Sequence, residues 1–112
     1  MAGLDIFGRF GSPATTFDEE IEVSGETIIS LHHEDVALVG RVQVVGDSVD
    51  VSVETSTRVL ESSEYDPTWV LQLDSQSGVT SYDEQFDDLC CRTFFIKLSG
   101  NGTVRLSAIL AK

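Results

Sequence analysis

The feature that most constrains this chain is an alternation of apolar and polar residues with a period of two, interrupted at short intervals by turn-forming residues. Successive side chains of a strand point to opposite faces, so this period builds half-buried strands and cannot build helices. No segment of a dozen residues keeps helical spacing. In "RTFFIKLSGNGTVRLSAILAK", Phe94, Ile96 and Leu98 share one face, and Val104, Leu106, Ala108 and Leu110 share another. A one-residue slip would turn every side chain over. Matching these faces predicts a hairpin through Gly100-Asn101-Gly102, with Leu98 opposite Val104. "RVQVVGDSVDVSV" reads the same way, with a turn at Gly46-Asp47 placing Val44 opposite Val49 and Val42 opposite Val51. "TIISLHHEDVALVG" gives a third hairpin around Glu34-Asp35, with Leu31 opposite Leu38 and Ile29 opposite Gly40.

Further strands are expected at Glu19–Val23, Ser56–Glu61 and Thr68–Asp74, the last with Trp69, Leu71 and Leu73 facing the core. "SYDEQFDDL" spaces Tyr82, Phe86 and Leu89 as one helical turn or an irregular crossover. The sum is an all-β chain: a seven- to eight-stranded antiparallel β-sandwich, jelly-roll or immunoglobulin-like, over residues 18–112. With 112 residues there is one domain's worth of chain, enough to enclose a single core. Residues 1–17 have no clean period. They are read either as a frayed tail or, preferred here, as an N-terminal extended arm whose Ile6, Phe7, Phe10 and Phe17 dock on a neighbouring subunit, because such side chains seldom stay bare on an acidic body.

Charge excludes some partners. Nineteen acidic residues face seven basic ones, a net charge of −12, so nucleic acid and anionic membrane surfaces are not expected. No run approaches the ~18 apolar residues of a membrane span, and the N-terminal residues do not read as a secretory signal. The carboxylates are spread along the chain and lysines are scarce, a composition like that of halophilic archaeal proteins. In molar salt like charges are screened within ~3 Å. An ordinary acidic domain is the other reading.

"LHHED", residues 31–35, holds both histidines beside two carboxylates. On a strand His32 and His33 diverge, and no second cluster of ligands completes a metal site, so a hairpin tip able to titrate near neutral pH is expected. Cys90-Cys91 is not a CxxC motif; it reads as one buried small hydrophobe and one half-exposed thiol, with Cys90 on the face of Phe94 and Ile96. "DEQFDD", Asp83 to Asp88, lacks the glycine and spaced oxygens of an EF-hand loop and reads as a solvated acidic connector. No catalytic residue, cofactor or metal is expected.

The run from Val49 to Ala111 combines a valine-rich strand, a strand with Trp69, the acidic connector Asp83 to Asp88, an Arg92-led strand and a closing strand of small residues, Val104 to Ala111. In this it resembles small β-sandwich structural proteins of haloarchaeal tailed viruses. The Cys90-Cys91 pair departs from that pattern. The resemblance implies a non-enzymatic virion protein, such as a capsid decoration, turret or tail component. It would be a homo-oligomer contacting a major capsid protein, located in the virion and assembled in a high-salt host cytoplasm. The alternative is a carbohydrate- or cell-surface-binding module with a glycan partner. It would need exposed aromatics, for which Tyr65, Trp69 and Tyr82 are the candidates beyond the phenylalanines.

Overall fold

A computed structural model describes residues 2–9, 11–58 and 65–112. Among the described residues the chain is all-β: β1 (Ala2–Phe7), β2 (Ala14–Ala37), β3 (Val39–Ser56), β4 (Val70–Phe86) and β5 (Cys91–Ala111), with a 3-10 turn, Pro67–Trp69, before β4. Five strands form one sheet in the order β1-β2-β5-β3-β4. β1 pairs with β2 in parallel and every other pair is antiparallel, so the sheet is mixed.

Five strands stand where seven or eight were expected, because none of the three hairpins forms. The hairpins expected at Gly46-Asp47 and Gly100-Asn101-Gly102 are each one long strand running through the turn signal, and at Glu34-Asp35 β2 runs on to Ala37 before β3 begins at Val39. Leu98 lies beside Thr27 and Val51, not Val104. Val44 lies beside Leu106 and Tyr82, not Val49. Ile29 lies beside Leu4 and Ile96, not Gly40. "SYDEQF" is extended as the end of β4 rather than helical. The expected strand Ser56–Glu61 ends at Ser56, and its residues 59–61 lie outside the described residues.

The turn residues are used as bends. A straight strand of β5's 21 residues would measure roughly 70 Å at about 3.3 Å per residue. The molecule's longest extent is 34 Å. Gly25 (φ +78°) sits opposite Gly100 (φ +133°), both left-handed positions that only glycine adopts without strain. β3 shifts register between Gly46 and Asp50 at the same level. Gly46 (φ +147°) presses so close that a Cβ there would lie 2.5 Å from the Thr103 carbonyl oxygen.

The bends divide the sheet into two tiers. Tier I holds residues 14–24, 101–111, 39–46 and 81–86; tier II holds β1 with residues 27–32, 93–98, 50–56 and 70–76. Val23, Val42, Val44, Val104, Leu106 and Leu110 of tier I join Ile29, Leu31, Val51, Val53, Ile96 and Leu98 of tier II in one hydrophobic core. Along β3 and β5 the faces assigned from alternation are thus the buried faces, although the pairing partners differ; Leu38, expected inward opposite Leu31, is 50% exposed. Tier II also buries its outer side: Ser30, His32, Thr93, Phe95 and Glu54 are all buried.

The expected boundary between residues 17 and 18 falls inside β2. Residues 2–7 lie on the chain's own β2, with Ala2 beside Thr27 and Phe7 beside His32.

Candidate functional site

The two histidines lie side by side in β2 and are both buried. They are strand residues, not a hairpin tip. His32 shares the outer side of tier II with β1. Its Nε2 lies 2.8 Å from Asp5 Oδ1, and its ring stacks on Phe7 at 4.5 Å between centroids and 13° between planes. Its Nδ1 lies 3.3 Å from Thr93 Oγ1, and its carbonyl accepts from Gly8 N at 2.9 Å. One residue thus fastens β1 to the sheet. His33 turns to the other side, with Nδ1 2.9 Å from Thr15 Oγ1. That hydroxyl donates to the His32 carbonyl oxygen at 3.2 Å, so it receives the proton on His33 Nδ1. Among the described residues no three His, Cys, Asp or Glu side chains come together as a metal-holding group.

Burial lowers the His33 pKa below the ordinary histidine value, with the Lys112 and Arg92 charges acting in the same direction and Asp35 and Glu34 opposing. The unfolded chain therefore takes up this proton first on acidification. The stability is present above the unfolded pKa of about 6.5 and is lost as pH falls below it. Thermal unfolding should show the melting temperature falling between about pH 7 and pH 5, and His33→Gln should flatten that slope. Asp35, held down first by its hydrogen bond to Lys112, and Asp83, held down first by its hydrogen bond to Arg41, contribute only at more acidic pH. An unchanged slope in His33→Gln would assign the dependence elsewhere.

The four arm candidates separate. Phe17 is a core residue of β2. Ile6 packs against the same core. Phe7 is 71% exposed while stacked on His32. Phe10 lies outside the described residues. Of the cysteines, Cys91 is buried in the core and Cys90 is exposed, the reverse of the expected faces. Cys91 shares the parity of Thr93 and Phe95, and that side of β5 is buried as well. Burial pushes the Cys91 thiol up to about 11, so it is no nucleophile near neutral pH.

The exposed chemistry lies at the start of β4. Asp66 caps the 3-10 turn: its side chain accepts from Thr68 N at 3.0 Å, its carbonyl accepts from Trp69 N at 2.9 Å, and Pro67 follows with its fixed φ. The Trp69 carbonyl accepts from Thr57 N at 2.7 Å, which ties the turn to the end of β3. Trp69, expected in the core, is therefore lifted off the strand and 45% exposed, and Leu71 beside it in sequence is 57% exposed. The Arg58 guanidinium lies 5.1 Å from the Trp69 ring centroid, and its Nη2 reaches Asp66 Oδ2 at 3.4 Å. Carboxylate, guanidinium and indole thus form one surface group.

A second group of the same kind stands on the outer side of tier II. Tyr65 packs edge-on against Phe95 at 5.0 Å, and its hydroxyl lies 3.3 Å from Glu54 Oε2. Lys97 Nζ sits 5.3 Å from the Tyr65 ring centroid, 3.4 Å from its hydroxyl and 3.6 Å from Glu54 Oε1. Burial works against the Lys97 ammonium, but the Tyr65 hydrogen bond and the Glu54 charge outweigh it and hold its pKa above the ordinary lysine value. Tyr82, the remaining aromatic candidate, is buried. Its hydroxyl donates to Asp74 Oδ2 at 2.7 Å, and desolvation drives its pKa far upward, so it offers no surface for stacking.

An open groove of about 410 Å³ crosses the outer side of tier I, lined by Asp18, Gln43, Val45, Ser81, Asp83 and Arg105 among others. Its charges are paired within the chain, Arg105 with Asp18 and Arg41 bidentately with Asp83. The acidic connector is thus in part an ion-paired strand.

No protein-family model matches this chain, and no curated protein matches it. Solved structures share its fold. The pre-peptidase C-terminal domain of a collagenase from Bacillus anthracis aligns at 12% identity and a TM-score of 0.57, covering 95% of this chain and 93% of that one. Chitosan-binding module 1 of a chitosanase/glucanase from Paenibacillus sp. IK-5 aligns at 13% identity and 0.55, covering 88% and 78%. A periplasmic inhibitor of g-type lysozyme from Aeromonas hydrophila aligns at 10% identity and 0.52, covering 98% and 96%. At such identities the likeness is one of fold alone: this chain shares the backbone architecture of these three β domains.

Proposed function

We propose that the chain is a non-enzymatic binding module of β-sandwich type, with a carbohydrate as its ligand. The observation that carries this reading is Trp69, an exposed indole on a capped and tethered turn with a guanidinium and a carboxylate beside it. An indole offers an apolar face for the C–H surface of a sugar ring. Asp66 beside the indole offers an acceptor for the sugar hydroxyls, and Arg58, which stands over one face of the indole, offers donors. The two tiers around one core, and the likeness to a chitosan-binding module, support the same reading. A net charge of −12 favours neutral or amino-sugar polymers over uronic acid polymers. The assembly reading drew on an arm reaching a neighbour. With residues 2–7 paired to their own β2, less of the chain speaks for it.

Co-sedimentation with insoluble chitosan, chitin, cellulose and xylan tests the proposal. The protein should be retained on at least one of them, and Trp69→Ala should weaken retention about tenfold or more, the loss of roughly 1.4 kcal/mol of stacking. Trp69→Phe should keep part of it. Retention on none of the four, or equal retention of Trp69→Ala, would end the proposal.

A further inference from the structure

Charge is distributed unevenly over the edges of the sheet that no described strand pairs. β4 presents Asp74, Asp83 and Glu84 and no basic residue. The edge of tier I, residues 14–24, carries Asp18, Glu19, Glu20 and Glu22. Two copies of a −12 protein meeting along either would set like charges against each other. β1 is different. Its sequence, AGLDIF, has one charged residue, Asp5, whose carboxylate is hydrogen-bonded to His32 of the same chain. Leu4 is 42% exposed at this edge. β1 therefore carries fewer of the charged side chains that usually blunt a free edge, one against three on β4 and four on residues 14–24.

We infer that the free edge of β1 is a self-association surface, and that a second copy of this chain pairs with it antiparallel about a two-fold axis. The register follows from the hydrogen-bond ladder. Gly8 N donates to the His32 carbonyl, so alternation turns the N–H groups of Ile6 and Leu4 toward β2 and those of Gly3 and Asp5 outward. Only outward residues can exchange hydrogen bonds with the second copy. Setting Asp5 opposite Asp5 of the second copy would oppose two carboxylates. Setting Asp5 opposite Gly3 of the second copy avoids this and places Leu4 opposite Leu4 of the second copy. Leu4 shares the face of Ile6, whose side chain packs on the core, so the paired leucines extend that core across the axis. The result is a continuous ten-stranded sheet. Five residues per copy, 2–6, pair in this register and make a small interface, so the dimer is weak, with a dissociation constant on the order of 10–100 μM.

Sedimentation equilibrium up to about 0.5 mM protein, in ~2 M KCl and again in dilute buffer, reads the result. The wild-type chain should dimerise, more tightly in high salt. Gly3→Pro removes an outward N–H and leaves the ladder to β2 intact; Leu4→Lys adds a charge at the axis. Each should raise the dissociation constant about tenfold or more. Gln76→Lys, on the β4 edge, should leave the dimer unchanged. NMR signals of the His32 ring, shifted by the Phe7 stack, report whether β1 remains docked. If Gly3→Pro moves them, Leu4→Lys decides on the same criterion. A monomeric wild type, a dimer that survives the deciding variant, or one dissociated by Gln76→Lys would overturn the inference.

Discussion

Gly46→Val should cost the domain more than about 3 kcal/mol, and this is the largest effect expected of any single surface-level substitution. The Cβ would meet the Thr103 carbonyl oxygen at 2.5 Å and the Val104 Cα at 2.8 Å, contacts with backbone that no rotamer relieves. The φ of +147° adds strain for a β-branched residue. Both costs arise because β3 bends against β5 at that point, between Gly46 and Asp50. Urea unfolding should show a lower midpoint with an unchanged slope. A two-residue hairpin turn at Gly46-Asp47 would carry the φ penalty alone, without the clash against the Thr103 and Val104 backbone, and so would cost less. A midpoint within experimental error of wild type would therefore mean that β3 does not run through as one strand.

The second large effect concerns Glu54 and Lys97. Glu54 is 6% exposed, and Lys97 stands 3.6 Å away over the Tyr65 ring. Removing the ammonium leaves a buried carboxylate beside the Tyr65 hydroxyl, at 3.3 Å, and no other described polar side chain. Lys97→Met should destabilise by about 2–4 kcal/mol, toward the lower end because Lys97 keeps some contact with water. Glu54→Leu in the same chain should restore more than half of that loss, because a matched apolar pair replaces a broken ionic one. Equal unfolding midpoints for wild type and Lys97→Met would show that water screens the pair. The sugar-binding proposal is independent of this result, since Trp69 stands on the separately capped turn at Asp66.

The candidate site was partly legible in the chain. "YDPTW" contains a helix-start signal, an Asp cap followed by Pro, which marks residues 67–69 as a turn and takes Trp69 out of the strand alternation. Alternation alone carried Trp69 inward with Leu71 and Leu73. Nothing in the chain pairs Arg58 with Trp69, or Lys97 with Glu54 across 43 positions, because those contacts depend on which strands become neighbours.

The same division runs through the fold. By itself the sequence determined that the chain is all-β, and which residues of β3 and β5 turn inward, because side-chain alternation is a property of each strand's own backbone. Val42, Val44, Val51, Ile96, Leu98, Leu106 and Leu110 needed no partner to be assigned a face, and all are buried. The tertiary structure decided the partners. Gly100-Asn101-Gly102 is chemically able to close a hairpin or to bend a long strand, and both keep Leu98 and Val104 inward. The bend wins because it lets β5 pair along its length with β2 on one side and β3 on the other, satisfying backbone groups on both edges that a hairpin would pair on one. That choice also buries His32 and His33 in the sheet interior, where Asp5, Phe7 and Thr15 from distant parts of the chain hold them.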